Sequence, residues 1–294
     1  MIYLSKFRLP TRTQEEKFLG SVGFQSRAVY TSCYPFRLFT WRDLPEFEFR
    51  DITVLYGGNG SGKSTILNVI AHRLELPRAT DCNAGDFFPA YTKLSQYELN
   101  GDASDTWRYV SRILTSDDVF DRVLDIRRVN RGIDDRRAEL VKEFANARRE
   151  GADRNLHGME DYERWREVVE ANRTTSSQYI RKRLIRNVEE RSNGETALAY
   201  FVDAIRDGGL YLLDEPENSL SPERQMDFRY FLEDCARTHG CQFILSTHSP
   251  LLLSLSCARI YDLDADPPAV RRWTELEGIR IYHRFFSEHE YEFD

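Results

Sequence analysis

Apolar and polar positions alternate differently along the chain, and each change of pattern predicts a different kind of element. Over residues 1–50 the alternation is short-ranged. Phe24 to Tyr34 and Phe36 to Trp41 read as strands, and Glu46-Phe47-Glu48-Phe49 alternates in strict period two, which predicts an antiparallel section. Asp51-Ile52-Thr53-Val54-Leu55-Tyr56 then drops the alternation for a short β-branched apolar run, the pattern of a buried parallel strand. From Thr65 onward Ile66, Leu67, Ile70 and Leu74 recur on one face of a helix. Residues 76–101 carry Pro77, Asp81, Asn83, Gly85 and Pro89 and read as irregular, with one strand near Tyr91 to Leu94.

From Asp102 to Glu190 the chain is dense in charge of both signs and helical in period. Val119, Phe120, Val123 and Leu124 share one face, and Leu140, Val141 and Phe144 another; Ser116 before Asp117 and Asp118 is the predicted N-cap. A second helical pair is expected from about Met159 to Asn172 and from Ser177 to Arg191. Heptads are not sustained, so this stretch predicts a helical lobe rather than a coiled coil. The basic runs Arg127-Arg128, Arg136-Arg137 and Arg181-Lys182-Arg183 are balanced by nearby acids, as on a solvated helix face. Ser192 and Glu195 then form a capping box ahead of the helical pattern Leu198, Phe201, Val202 and Ile205. Two more buried runs follow, Leu210 to Leu213 and Cys241 to Leu245.

The candidate chemistry lies where these runs end. Gly57-Gly58-Asn59-Gly60-Ser61-Gly62-Lys63-Ser64 fills every position of the phosphate-loop pattern G-x-x-x-x-G-K-[ST], with a strand before it and a helix from Thr65 after it. The glycines allow backbone N–H groups to turn inward, Lys63 brings a cation to the β- and γ-phosphates, and Ser64 brings a hydroxyl to Mg²⁺. The run Leu210-Tyr211-Leu212-Leu213 ends in Asp214 and Glu215, and the run from Cys241 ends in Ser246-Thr247-His248. At the carboxyl end of a parallel sheet Asp214 can bind the same Mg²⁺, Glu215 can polarise a water, and His248 can donate to a γ-phosphate. Tyr30, Tyr34 and Phe36 are candidates for stacking on adenine.

Composition narrows the partners. The 294 residues are 41% hydrophobic and 30% charged, with a net charge of −7. No stretch approaches the roughly 18 apolar residues of a membrane helix, and the acidic balance argues against a surface coated for nonspecific nucleic-acid binding. Five scattered cysteines, Cys33, Cys82, Cys235, Cys241 and Cys257, include no C-x-x-C pair and indicate neither a disulfide framework nor a zinc site. Met1 to Lys6 lacks the pattern of a secretory signal, so a cytoplasmic protein is expected.

Taken in order, these motifs resemble the ATP-binding-cassette superfamily, in its soluble branch of SMC-type, RecF-type and OLD ATPases, over about residues 50 to 255. Gly57 to Ser64 with Thr65 is similar to its Walker A motif, Leu210 to Glu215 to Walker B, Glu217-Asn218-Ser219-Leu220-Ser221-Pro222 to the D-loop region, and His248 to the switch histidine. Ser192-Asn193-Gly194-Glu195 resembles the signature motif, whose helix N-terminus contacts the γ-phosphate held by an opposite subunit. Asn193 departs from the glycine of transporter cassettes, and Gln96 lies in the general region of the Q-loop without surroundings that fix it there. The whole chain, with Tyr261-Asp262-Leu263-Asp264 and Trp273-Thr274-Glu275-Leu276, resembles a bacterial family of small stand-alone AAA-type ATPases.

The expected fold is therefore α/β, a P-loop NTPase of ABC-ATPase type with an antiparallel N-terminal β section and an inserted charged helical lobe. The expected division is 1–101, 102–190 and 191–294. The resemblance implies an ATPase using ATP and Mg²⁺ that works as an ATP-sandwich homodimer, coupled to DNA or to a protein partner in repair or bacterial defence and without a membrane. Its alternative is an ATP-gated scaffold for an effector. A transporter motor fits less well, given the charged lobe and Asn193, and no N-K-x-D sequence marks a GTPase.

Overall fold

In the computed structural model of the protein, residues 1–20, 32–40, 42, 44–80, 84–101, 106–150, 162–184 and 193–293 are described. Two units are present, Met1–Phe120 with Asn193–Asp294, and Asp121–Ser192. In chain order the first begins with β1 (Leu4–Arg8), α1 (Arg12–Leu19), β2 (Phe47–Glu48), β3 (Ile52–Tyr56), α2 (Lys63–Arg73), α3 (Phe88–Leu94), β4 (Gln96–Leu99), α4 (Trp107–Val110) and β5 (Arg112–Thr115). The long helix α5 (Ser116–Glu150) is followed by α6 (Tyr162–Arg173) and α7 (Ser176–Arg183). The chain continues with α8 (Asn193–Ala204), β6 (Leu210–Asp214), a 3₁₀ turn (Pro216–Ser219), α9 (Pro222–Thr238), β7 (Gln242–Ser246), α10 (Pro250–Leu253), β8 (Arg259–Asp262), β9 (Ala269–Arg271) and α11 (Glu277–Glu288).

The runs without alternation become the centre of a six-stranded sheet in the order β5-β6-β7-β3-β8-β9, parallel except for β9. Val54 of β3 lies between Leu245 of β7 and Ile260 of β8, and Leu213 of β6 between Leu114 and Leu245. All five residues of β7 are buried, because both faces of this part of the sheet are covered and leave no room for alternation. The runs of β3, β6 and β7 stop at one edge of the sheet, so their C-terminal residues converge there.

The alternating segment forms the second sheet, β2-β1-β4, antiparallel throughout. Phe7 faces Phe47 and Tyr97, while Lys6 faces Glu48 and Glu98, so one face is core and the other carries charge pairs. Buried Gln242 joins the two sheets: its Oε1 accepts from Tyr3 N and Leu4 N at 2.8 and 2.9 Å, and its Nε2 donates to Leu4 O and Arg50 O.

Several local expectations are corrected. Phe36 to Thr40 forms turns and bends instead of a strand, with Phe36 and Phe39 buried, and Trp41 lies outside the described residues. Tyr91 to Leu94 belongs to helix α3, where Pro89 sits in the first turn and supplies a helix-ready φ; the strand follows at Gln96–Leu99. β1 and β5 fall where no strand was expected, being only five and four residues long. The cap of α5 is Thr115, not Ser116: Thr115 Oγ1 accepts from Asp118 N at 3.3 Å and Asp118 Oδ2 accepts from Thr115 N at 2.8 Å. Gln96 pairs with Arg8 in the antiparallel sheet. Most of the Phe24 to Tyr34 run and the residues before Tyr162 and after Leu184 in the second helical pair lie outside the described residues.

The inserted unit has a small core of its own. Leu140, Phe144 and Ala147 line one stripe of α5 and cluster with Ala171 and Tyr179. Val141, expected on the same face, is exposed, and Phe120 and Leu124 are exposed while Val119 is buried. Among the described residues no helix is long and apolar enough to cross a membrane.

Candidate functional site

The phosphate-loop segment connects β3 to α2 and gets its shape from its own glycines and from neighbours far off in sequence. Gly60 and Gly62 have φ of +81° and +97°, a region that L side chains rarely adopt, and a Cβ on Gly62 would strike the ring of Phe39. Ser61 N closes a turn on Gly58 O at 3.1 Å. Arg42 Nη1 donates to Ser61 O and Leu263 O, joining the loop to the chain after β8. From the same segment Asp264 Oδ2 accepts from Gly58 N at 2.6 Å. α2 begins at Lys63 with no acid in its first turn, leaving an N-terminus suited to an anion.

Lys63 is 4% exposed and its Nζ donates to Gly57 O at 2.8 Å and Gly58 O at 3.3 Å. The same ammonium lies 2.8 Å from His248 Nε2 and 3.7 Å from Glu215 Oε1, and His248 Nε2 lies 3.4 Å from that oxygen. Residues that follow three separate strands, β3, β6 and β7, thus share one contact. Ser64 Oγ donates to Asp214 Oδ1 at 2.9 Å, and Ser246 Oγ donates to the same oxygen at 2.6 Å. Glu215 N donates to Ser246 Oγ and Ser246 O, and Glu215 takes a left-handed φ of +47° that turns the chain sharply out of β6.

Burial raises the Asp214 carboxyl above its ordinary range, opposed by the hydroxyls of Ser246 and Ser64 and by Lys63, and assisted by the charge of Glu215. A cation beside this carboxylate and the Ser64 hydroxyl would remove that conflict, and both are hard oxygen donors of the type Mg²⁺ takes. Among the described residues no group of three or more His, Cys, Asp or Glu can hold a metal. Two oxygen donors on their own fit an ion whose remaining ligands are phosphate and water.

The other predicted residues are dispersed. Asn59 and Gly60 form the exposed tip of the loop, and Thr65 Oγ1 meets the hydroxyl of Tyr34 at 2.8 Å. Phe36 is not free to stack on a base: it is buried between Phe18, stacked at 4.8 Å, and Tyr91, edge-on at 5.1 Å. Tyr30 and Ser192 lie outside the described residues. Asn193 and Gly194 open α8, and the exposed Glu195 carboxylate lies 3.5 Å from Arg224 Nη2. Sequence reasoning passed over Ser246, Asp264 and Arg42. Ser246 had a signal, a polar residue closing an apolar run beside a strand already assigned to phosphate; Asp264, two residues beyond β8, and Arg42 had none.

Residues 93–254 match the sequence profile of the family described as "AAA domain, putative AbiEii toxin, Type IV TA system". No curated protein matches the chain in sequence. Among solved structures it is similar to the Smc head domain of Pyrococcus furiosus bound to the C-terminal domain of ScpA, at 14% identity over 97% of this chain and 100% of that one, with a TM-score of 0.43. The SMC head domain of Thermotoga maritima matches at 14% identity over 92% and 99%, with a TM-score of 0.35. A dimeric bacterial ABC transporter cassette matches at 14% over 78% and 88%, with a TM-score of 0.37. Likenesses this loose carry no functional inference.

Proposed function

The chain belongs to this AAA-domain family, its profile covering more than half of the residues, and from that premise we propose that it binds and hydrolyses ATP. The observation that carries the reading is the meeting of Lys63, Glu215 and His248 beside the Ser64–Asp214 pair, all at the end of a strand or the start of α2. The N–H groups of Gly60 to Ser64 and the ammonium of Lys63 hold the β- and γ-phosphates. Ser64 and Asp214 hold Mg²⁺, which supplies charge neutralisation for the phosphate oxygens. Glu215 orients a water and takes its proton as the water oxygen bonds to the γ-phosphorus and the β–γ bridging bond breaks, with ADP leaving. His248 donates to a γ-phosphate oxygen, so the Lys63–His248 contact opens when ATP enters.

The site is completed by a second copy, whose α8 N-terminus, with Ser192, Asn193, Gly194 and Glu195, closes over the γ-phosphate. ATP drives that association and hydrolysis releases it. The test is ATPase activity alongside light-scattering mass for the wild type and Glu215→Gln. A Glu215→Gln protein that binds ATP, does not hydrolyse it and doubles in mass supports the sandwich; one that binds ATP and remains a monomer removes the dimer from the reading.

A second reading, that ATP binding gates an effector protein in bacterial defence, is suggested by the family's description, which includes the words "putative AbiEii toxin, Type IV TA system". ATP-dependent retention of a co-expressed partner by Glu215→Gln without DNA supports this role. Salt-sensitive DNA binding that requires ATP supports repair instead.

A further inference from the structure

We propose that Glu217 is a positioning residue for His248, fixing the backbone that presents the imidazole to Lys63, Glu215 and the γ-phosphate; the proposal rests on the ATPase reading of the same site. The ladder between β6 and β7 ends at Asp214 and Ser246. Beyond it the chains part: β6 turns at left-handed Glu215 into the 3₁₀ turn, and β7 runs through His248 to Ser249, which caps α10 by accepting from Leu251 N and Leu252 N. His248 N–H therefore has no strand partner in a partly buried place, where an unpaired donor is costly. Glu217 Oε1 supplies the acceptor at 2.6 Å, a short charge-assisted bond across 31 residues.

The turn that carries Glu217 is itself held. Asn218 Nδ2 donates to Glu215 Oε2 at 3.0 Å, and Gln225 Nε2 donates to Leu220 O at 2.9 Å while Gln225 Oε1 accepts from Ser249 Oγ at 2.6 Å. Gln225 thus joins the segment after Glu217 to the segment after His248. Burial raises the Glu217 carboxyl above its ordinary range, against the lowering effect of the His248 N–H and the Thr247 hydroxyl. A glutamate kept in so unfavourable a place, with its oxygen on the switch histidine's main chain, links the loop after Glu215 to the position of the imidazole.

The test is a steady-state cycle on the full chain with Glu217→Met, Glu217→Gln, His248→Ala and Glu217→Met/His248→Ala. Methionine fills the space without an acceptor, whereas glutamine keeps a carbonyl oxygen. Glu217→Met should lower kcat about 30-fold with KM for ATP changed less than about 3-fold, and Glu217→Gln should stay within about 3-fold of wild type. On the His248→Ala background Glu217→Met should add less than about 2-fold. The proposal is overturned if Glu217→Met is within about 3-fold of wild type, if its full loss recurs without His248, or if Glu217→Gln falls as far. The cycle is repeated with Glu217→Asp, whose shorter arm withdraws the acceptor, so the decision does not hang on one variant's folding. A wild type without ATPase activity sinks the catalytic reading. The backbone amide proton of His248, downfield in wild type and shifted upfield in Glu217→Asp, then still decides the link; an unmoved resonance refutes it.

Discussion

The edge of the parallel sheet and the inserted helical unit are both rich in charge, and they use it in opposite ways. At the sheet edge the partners are distant in sequence, and those around Lys63 and Asp214 are partly withdrawn from solvent: Lys63 meets His248 across 185 residues and Ser64 meets Asp214 across 150, while the exposed Asp264 holds Gly58 across 206. On α5 ion pairs join residues three or seven apart, Asp125 to Arg128, Asp134 to Arg137, and Arg136 to Glu139 and Glu143, with exposed side chains. Removing a partner from a buried group leaves a desolvated charge without compensation, whereas an exposed local pair is replaced by water at little cost. Similar residue types therefore form a long-range network in one place and a solvated surface in the other.

The sharpest way to break this comparison is Lys63→Ala. The ammonium is the buried cation on which Gly57, Gly58, His248 and Glu215 converge, so its loss should lower ATP hydrolysis by about 10³-fold or more, to background in a phosphate-release assay. Activity within about tenfold of wild type would mean that this cluster is a structural ion network.

Ser246→Ala asks whether the strand-end ties matter as much as the cation. Its hydroxyl joins the Asp214 carboxylate to the Glu215 backbone, and a drop of about 10-fold in kcat is expected. The sign of the accompanying pH effect follows from the bonds. Hydrogen bonds to the ionised carboxylate lower its pKa, so losing one of two hydroxyl donors raises Asp214 further, and a carboxyl titration by NMR of the protein free of nucleotide and Mg²⁺ should find it moved to higher pH.

How far each of these features was legible in the sequence follows from how local its cause is. β3, β6 and β7 could be read because burial on both faces writes an unbroken apolar run, and the phosphate loop because its strained turns demand glycine at fixed spacing. The capping residue of α5 was misplaced by one position although Thr115-Ser116-Asp117-Asp118 is a local capping pattern; a further hold on Asp118 comes from Thr80, whose N–H and hydroxyl both bond its Oδ1. No local pattern announces that contact. Arg42 was missed for the same reason, and so was the bond that Glu217 makes from its D-loop-like segment: each acts on a backbone group brought near only by the sheet. Phe36 misled because an aromatic that stacks on a base and one that fills a core look alike in sequence.

Asp214→Asn separates function from stability at the same edge. A carboxylate raised in the folded state contributes stability that is fully present below its unfolded pKa and lost as pH rises through the folded one. At pH 7.5 without nucleotide the neutral amide should therefore raise Tm by about 2–4 °C while abolishing Mg²⁺-dependent hydrolysis. The gain should shrink as pH falls through the raised folded value toward the ordinary carboxylate range, and be gone below it. A lower Tm at pH 7.5 would mean that the hydrogen bonds from Ser64 and Ser246 outweigh the burial of the charge.

The smallest effect is expected on α5, where Arg136→Ala/Arg137→Ala removes two guanidiniums that neighbouring acids hold. Arg136 reaches Glu139 at 2.8 Å and Glu143 at 3.0 Å, and Arg137 reaches Asp134 at 2.5 Å, all at side-chain exposures of 43% or more. The carboxylates raise the Arg136 pKa through their hydrogen bonds and charge, so this cation is already neutralised locally. Tm should change by less than about 1 °C in low-salt buffer and by less still at high salt, because exposed pairs are screened. A nucleic-acid contact would behave otherwise: each cation withdrawn from a phosphate takes one counterion's worth of salt dependence with it. Duplex binding measured against salt concentration should therefore keep its slope to within about one unit. A slope reduced by about two, with affinity lost to the same extent on unrelated sequences, would mean that these arginines contact phosphate. The contrast between a chemical edge and a solvated helix would then fail at that surface.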